Sequence, residues 1–224
     1  MARIIGVRDV HLIPLEKDDI PGTKPTYKAG TPVKLESIIS IDIADQSENV
    51  TFYSNDNVEQ IIPSFSGKEI TMELGYLPQD AEALLSGNKY ENGVYTQTSD
   101  AIAPSFALMF RAPKSTCNNA TGVDAELTKE GAFRYVVLFK GILSRSEENY
   151  QGKQDTIESS NVTLTGLFVP TTWNGEIELR ADNDVTFGNK AAVAAGNADV
   201  DEAKKAAYKN MIKNWFTTVQ FGDL

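Results

Sequence analysis

The sequence has very little of the chemistry that enzymes most often use. Its 224 residues include one cysteine, Cys117, and one histidine, His11. A single cysteine excludes an internal disulfide and any zinc or iron–sulfur site that needs several cysteines. A single histidine excludes metal motifs that need two. Neither a GxGxxG turn nor a GxxxxGK[ST] loop occurs, so the usual phosphate-binding motifs are missing as well.

Long apolar runs and positive charge are also scarce. No stretch approaches the roughly 20 apolar residues that a membrane-spanning helix requires, and the N-terminal sequence lacks the apolar core of a signal peptide. We therefore expect a protein made in the host cytoplasm with no membrane partner. The sequence has 21 Lys and Arg residues and 31 Asp and Glu residues, which gives a formal net charge of −10. Tight nucleic-acid binding needs cations for its phosphate contacts, so this balance argues against it.

The remaining candidate catalytic groups form no recognisable set. His11 and Cys117 could make a nucleophile–base pair, but no third group that would orient them is identifiable. Two carboxylates suffice for the active site of a glycosidase, but no pair stands out in this sequence. We interpret the carboxylates of the predicted strands as solvent-facing residues: Asp42, Glu69, Glu73, Glu176 and Glu178. The run Asp182–Asp184 lacks EF-hand spacing and is more typical of a polar turn than of a calcium site. We predict no catalytic residue, no cofactor and no metal site, and hence no enzymatic activity.

Alternation of apolar and polar residues is abundant, with the period of a β-strand. Clear examples are Ile39–Ile43, Ile70–Tyr76, Phe106–Phe110, Phe133–Phe139 and Val162–Phe168. Apolar residues occupy both faces around Val136 and Leu138, which predicts a central strand covered on both sides. Asn92–Gly93 and Asn174–Gly175 predict hairpin turns. The pattern predicts a mainly β protein, with residues 1–187 as one β domain.

Two helices interrupt the strands. A short helix is expected between Pro78 and Gly87, because the glycine is well suited to end it. A longer amphipathic helix follows a small-residue linker within residues 188–224. Its apolar stripe predicts docking on a sheet or on a neighbouring subunit through four residues: Met211, Ile212, Trp215 and Phe216. The alternative is a helix on a membrane surface, since its other face is rich in lysine.

Several segments, in consistent order, resemble the major tail proteins (tail tube proteins) of long-tailed phages of Gram-positive bacteria. The matching stretches are GVRDVHLIPL (Gly6–Leu15), TFYSNDN (Thr51–Asn57), FSGKEITMELGYLPQDAEALLSG (Phe65–Gly87), APSFALMFRAP (Ala103–Pro113), FRYVVLFKG (Phe133–Gly141) and LTGLFVP (Leu164–Pro170), followed by Trp173. The resemblance implies a β-sandwich with a short flanking helix. It also implies a structural role, in which six copies form a ring whose inner strands make one continuous barrel.

The resemblance further implies the partners and the location of the protein. Rings would stack into a virion tail tube, contacting tape-measure, tail terminator and baseplate proteins, while DNA passes through the lumen without specific binding. Tail-derived bacteriocins share this tube and carry no DNA. The acidity of the sequence agrees with a channel wall that repels DNA. Closing the inner strands into a barrel would also remove exposed sheet edges.

Residues 14–32 form a segment with four prolines and two glycines, which predicts a long, stiff and irregular arm. In the context of the resemblance, we expect this arm to make contacts between rings. The candidate contact residues are Lys17, Asp18, Asp19, Lys24, Tyr27 and Lys28. The alternative is a surface loop that stays on its own subunit.

Two other functions remain open. One is a carbohydrate-binding or carbohydrate-hydrolysing β-sandwich, which would need a concave aromatic surface. The aromatic residues available for it are Tyr53, Tyr90, Tyr95 and Trp173. The other is a head–tail joining or virion decoration protein with a similar β-fold.

Overall fold

The computed structural model describes residues 3–28, 30, 32–54, 57–115, 125–146, 161–185 and 202–222. The strands in these ranges are β1 (Arg8–Lys17), β2 (Thr26–Tyr27), β3 (Val33–Leu35), β4 (Ile38–Ser54), β5 (Asn57–Leu74), β6 (Lys89–Glu91), β7 (Val94–Thr96), β8 (Phe106–Pro113), β9 (Phe133–Arg145), β10 (Val162–Phe168) and β11 (Glu178–Asp182). The helices are α1 (Gln79–Ser86) and α2 (Glu202–Lys213). The fold is mainly β, which confirms the prediction from the alternating pattern.

Nine strands join in one antiparallel sheet. Its order is β2–β1–β8–β9–β10–β5–β4, with β3 beside β1 and β11 beside β9. The first part of β9 pairs with β8 and β11, and its second part, from Gly141 onward, pairs with β10. β6 and β7 form a separate hairpin. The sheet therefore divides at β9 into two halves, which share one apolar core.

This inner core is built from alternate residues of both halves. Its fully buried members include Val10, Leu12, Ile70, Met72, Leu74, Phe106, Leu108, Leu138, Leu143, Leu164 and Phe168. Residues of α1, Ala81 and Leu85, close it at one end. Gly141 and Gly166 allow the strands to approach closely there, since a Cβ on Gly166 would lie 2.1 Å from the carbonyl oxygen of Ile142.

A second apolar layer lies on the other side of β1, β8, β9 and β11. Here the sheet contributes Ile13, Ala107, Met109, Phe133, Tyr135, Val137, Phe139 and Ala181, and the α2 region contributes Met211, Ile212 and Trp215. Val136 and Leu138 face the inner core, whereas Val137 and Phe139 face the α2 region. The central strand is thus covered on both sides, as predicted.

The local turn predictions are mostly confirmed. Pro78 precedes α1, and Gly87 ends it in the left-handed conformation with φ 72°. Asn92 and Gly93, with φ 52° and 82°, form the two-residue turn between β6 and β7. The Asn174–Gly175 pair also lies in a turn, but β10 and β11 on either side of it both pair with β9 instead of with each other.

Three sequence predictions need correction. Helix α2 ends at Lys213, so Trp215 and Phe216 lie in the turn that follows it and not on the helix itself. The predicted irregular arm is shorter than residues 14–32, because its first residues belong to β1 and its middle forms β2. Ile39 is 52% exposed, because a bulge between Ile38 and Ser40 takes it out of the alternating register.

Several predictions concern residues outside the described ranges. They include the small-residue linker before the C-terminal helix and the candidate nucleophile Cys117.

Candidate functional site

The predicted arm folds back on its own subunit around Asp19. The Asp19 side chain is fully buried and accepts hydrogen bonds from Thr172 Oγ1 at 2.7 Å and from the Trp173 amide at 2.8 Å. Lys140 Nζ, on β9, lies 3.1 Å from it. Thr172 also donates to the Asp19 carbonyl oxygen at 2.9 Å. We call Asp19, Lys140, Thr172 and Trp173 the Asp19 cluster.

The Asp19 cluster favours the charged form of the Asp19 carboxyl group. Burial alone raises the pKa of Asp19, but the hydrogen bonds from Thr172 and Trp173, together with Asp18 and Lys140, outweigh it and hold the pKa well below its usual range. Lys140 also contacts the exposed carboxylate of Asp18, and its own pKa is raised by its acidic partners despite burial. Asp19 is therefore a buried anion with a complete set of donors.

Most of the other candidate residues of the arm also contact their own subunit. The Tyr27 hydroxyl donates to the Phe139 carbonyl oxygen at 2.6 Å, and Lys24 Nζ lies 5.0 Å from the ring centre of Trp173. The Lys28 amide donates to the Pro14 carbonyl oxygen at 2.9 Å. Lys17 ends β1 with an exposed side chain. Asp19 and Tyr27 thus make their contacts within one subunit, which is the geometry of the surface-loop alternative.

The four docking candidates of the C-terminal region lie against the sheet. Met211 and Ile212 are 6% and 7% exposed, and Trp215 is completely buried, with its ring centre 5.5 Å from that of Tyr135. Phe216 is half-buried and packs on His11 at 4.8 Å between ring centres. Among the described residues, the Trp215 indole N–H has no hydrogen-bond partner.

A polar surface that the sequence did not identify lies on the outward side of four neighbouring strands. Its residues alternate with the buried core positions and are Ser40, Asp42 and Ala44 on β4; Glu69, Thr71 and Glu73 on β5; Thr163, Thr165 and Leu167 on β10; and Ile142, Ser144 and Ser146 at the end of β9. None of these residues is basic. We call this surface the acidic wall.

Two of the three carboxylates of the acidic wall have amide partners in the described structure. Gln46 Nε2 donates to Glu69 at 2.6 Å, and Asn161 Nδ2 donates to Glu73 at 2.7 Å. Asp42 stands opposite Thr71 in the register of β4 and β5. The sequence predicted that these carboxylates face solvent. That they share one face of the sheet follows only from the strand order, which the sequence does not show.

One carboxylate predicted as solvent-facing is largely shielded from solvent. The Glu178 side chain is 9% exposed and lies 2.9 Å from Lys68 Nζ, which also contacts Asp45 at 2.7 Å. Arg180 makes a further ion pair with Glu178. Because Lys68 lies on β5 and Glu178 on β11, this cluster joins the two halves of the sheet.

The candidate catalytic and calcium-binding groups that lie in the described ranges have structural partners. His11 Nδ1 lies 2.9 Å from the Asp9 carbonyl oxygen, and burial lowers the pKa of its imidazole. Asn183 donates to the carbonyl oxygens of Leu127 and Gly131. Asp182 and Asp184 pair with Lys114 at 2.9 and 2.5 Å. Cations and turn backbone thus occupy the positions that a calcium ion would need.

The aromatic residues proposed for carbohydrate binding belong to different surroundings. Tyr90 and Tyr95 stand opposite each other on β6 and β7, and the Tyr95 hydroxyl receives a hydrogen bond from Asn88 at 2.9 Å. Trp173 packs edge-on against Phe221 at 5.5 Å. Nothing in these contacts brings the three rings onto one concave surface.

The described part of the chain contains neither a metal-binding cluster nor a membrane-spanning helix. There, no group of three or more His, Cys, Asp or Glu side chains is placed to hold a metal ion. None of the helices in the same ranges has the length and apolarity needed to cross a bilayer. The chain matches no family model and no curated protein sequence.

Proposed function

We propose that the protein is the structural subunit of a phage-type tail tube, with the acidic wall lining the lumen of stacked hexameric rings. The single observation that carries this proposal is the wall itself, in which Asp42, Glu69 and Glu73 share one sheet face with a row of hydroxyl side chains and no basic residue. The hexameric state and the partners (tape-measure, terminator and baseplate proteins) come from the sequence resemblance alone.

The chemistry of the acidic wall suits a channel for DNA. Carboxylates repel the phosphate backbone, and a surface without Lys or Arg offers no counter-charge to a phosphate. Serine and threonine hydroxyls keep such a surface hydrated without adding charge. Duplex DNA would therefore move along the wall without being held at any position.

The first test is direct observation of the purified protein. Negative-stain microscopy is expected to show rings or tubes, because the proposed function requires the subunit to associate with further copies of itself. A protein that stays monomeric at high concentration and binds glycans would contradict the proposal and support the carbohydrate-binding alternative.

The second test reverses the charge of the wall. Changing Asp42, Glu69 and Glu73 together to lysine is expected to give assemblies that retain DNA protected from nuclease, since the cations would then face the lumen. The matched control changes three exposed carboxylates elsewhere, Glu36, Glu91 and Asp100, to lysine. This control has the same net charge, and any DNA that it binds should stay accessible to nuclease. Equal protection in both variants would refute the assignment of the wall to the lumen.

A further inference from the structure

The arm and the C-terminal region meet at a pair of aromatic rings. The ring centres of Trp173 and Phe221 lie 5.5 Å apart, and the two ring planes are nearly perpendicular, at 85°. The ammonium nitrogen of Lys24 lies 5.0 Å from the centre of the Trp173 ring and 4.9 Å from that of Phe221. Aromatic faces attract a cation at such distances. Two walls therefore hold one cation, and we call Trp173 and Phe221 the aromatic corner.

Other contacts hold both rings of the aromatic corner in place. Phe221 stacks on Phe139, with 5.3 Å between the ring centres and 4° between the planes, and Tyr27 packs beside it at 6.4 Å. The Trp173 amide is fixed by its hydrogen bond to Asp19 at 2.8 Å. Because the walls are already ordered by the fold, a ligand loses little free energy in ordering them.

The cation that now occupies the aromatic corner can be replaced. Lys24 is exposed, and Trp173 and Phe221 are each half-buried, so a solute reaches the rings from solvent. An exposed contact between a cation and a ring changes an equilibrium constant by a factor of only about two to five. A lysine ammonium is strongly hydrated, whereas aromatic walls are the usual means by which proteins bind quaternary ammonium groups.

The charges around the aromatic corner also favour a cation. The carboxylates of Asp18 and Asp19 share the single ammonium of Lys140, which leaves one negative charge in excess within this group. Burial first, and then the charges of Asp19 and Asp18, raise the pKa of the Tyr27 hydroxyl, so their field reaches the residue packed beside Phe221. A ligand that carries a phosphate next to its ammonium would be repelled here.

We propose that the aromatic corner is a binding site for a soluble quaternary ammonium compound of the choline class, with Lys24 as its built-in competitor. The trimethylammonium group takes the place of the Lys24 ammonium between Trp173 and Phe221. This site is separate from the acidic wall, and the inference does not depend on the proposed function.

A titration of the unchanged protein with choline chloride at constant ionic strength tests the site. The emission of Trp173 should change with half-saturation at about 1–10 mM, the range that two ring contacts support. Trp215 is completely buried in another part of the protein, so its emission should stay constant. Dimethylbutanol is the uncharged isostere of choline and should bind at least about tenfold more weakly. Equal binding of the two compounds, or no response to choline, would overturn the proposal.

Two pairs of variants test the roles of the residues. Phe221→Leu should abolish the response to choline, whereas Phe216→Leu should not, because Phe216 packs on His11 outside the aromatic corner. Lys24→Gln should tighten choline binding about two- to fivefold, since it removes the competitor. Lys28→Gln is the matched control, because it removes the same charge from the same arm. Equal effects within either pair would overturn the proposal.

A flotation assay with phosphatidylcholine vesicles distinguishes a soluble ligand from a lipid headgroup. The unchanged protein should not float with these vesicles, because the phosphate beside each choline group would meet the negative field of Asp18 and Asp19. Flotation that Phe221→Leu abolishes would overturn the assignment of the aromatic corner to a soluble compound.

Discussion

Replacement of Asp19 by asparagine is the sharpest test of how the arm is held. The substitution keeps the size of the side chain but removes its charge, and it presents an NH₂ group to donors that already point at this site. The Thr172 hydroxyl, the Trp173 amide and the Lys140 ammonium would then face an incomplete acceptor. We expect Asp19→Asn to destabilise the isolated subunit.

The magnitude follows from burial and from the number of bonds. The Asp19 side chain is 0% exposed and Lys140 is 17% exposed, so water cannot replace the lost acceptor. Removing one member of a buried, hydrogen-bonded ion pair costs about 2–4 kcal/mol. For a chain of this size that loss corresponds to a fall in Tm of about 4–16 °C.

Acid should remove the same stabilisation from the unchanged protein. The pKa of Asp19 is held below its usual range, so the unfolded chain binds this proton more tightly than the folded one. The contribution is therefore complete above the ordinary aspartate pKa of about 3.9 and is lost as the pH falls below it. Urea unfolding at pH 7 and at pH 3 measures this loss, and the difference between the protein and Asp19→Asn should shrink at the lower pH.

Asp18 provides the control for this experiment. Its side chain is 62% exposed and contacts Lys140 from the solvent side, so Asp18→Asn should cost less than about 1 kcal/mol. If Asp19→Asn unfolds within about 0.5 kcal/mol of the unchanged protein, a range typical of surface substitutions, then the Asp19 cluster does not anchor the arm and the reasoning is wrong.

Two further predictions concern the layer between the sheet and α2. Trp215→Asp should lower the unfolding free energy by more than about 3 kcal/mol, because it buries an unpaired charge and leaves a cavity. Thr217→Asp, at an exposed position, is the control. Equal Tm values for the two variants would show that the region is not docked on the sheet. His11 should titrate below its ordinary pKa of about 6.5 because burial disfavours its charged form, so stability should fall as the pH drops from 6.5 toward the lower, folded-state value. An NMR titration midpoint at or above 6.5 would contradict this account.

Local features of the fold were predictable from short stretches of sequence. Apolar residues on both faces of β9 indicated a strand covered on both sides. Gly87 indicated where α1 ends, and Asn92–Gly93 indicated where the β6–β7 hairpin turns. Each of these depends on neighbours within a few residues, where backbone conformation and side-chain periodicity decide the outcome.

Features that depend on distant residues were not predictable. Asp19 lies in a proline-rich segment, but its donors are 121 to 154 residues away, so none of its sequence neighbours indicates that it is buried. Glu178 occupies a position that alternation assigns to solvent, yet Lys68 from another strand covers it. The acidic wall likewise depends on the strand order, because β10 and β5 are far apart in sequence.

The Asp19 cluster also sets an order of events during synthesis. Thr172 follows Asp19 by 153 residues, so at about 5–20 residues per second it leaves the ribosome about 8–30 s later. During that interval the carboxylate has neither Thr172 nor the Trp173 amide to bind, so the arm lacks two of the contacts that hold it. Limited proteolysis of stalled nascent chains should therefore cut near Pro21 until the Thr172 turn emerges. The arm is thus made early but gains its complete set of contacts only after most of the chain has been synthesised.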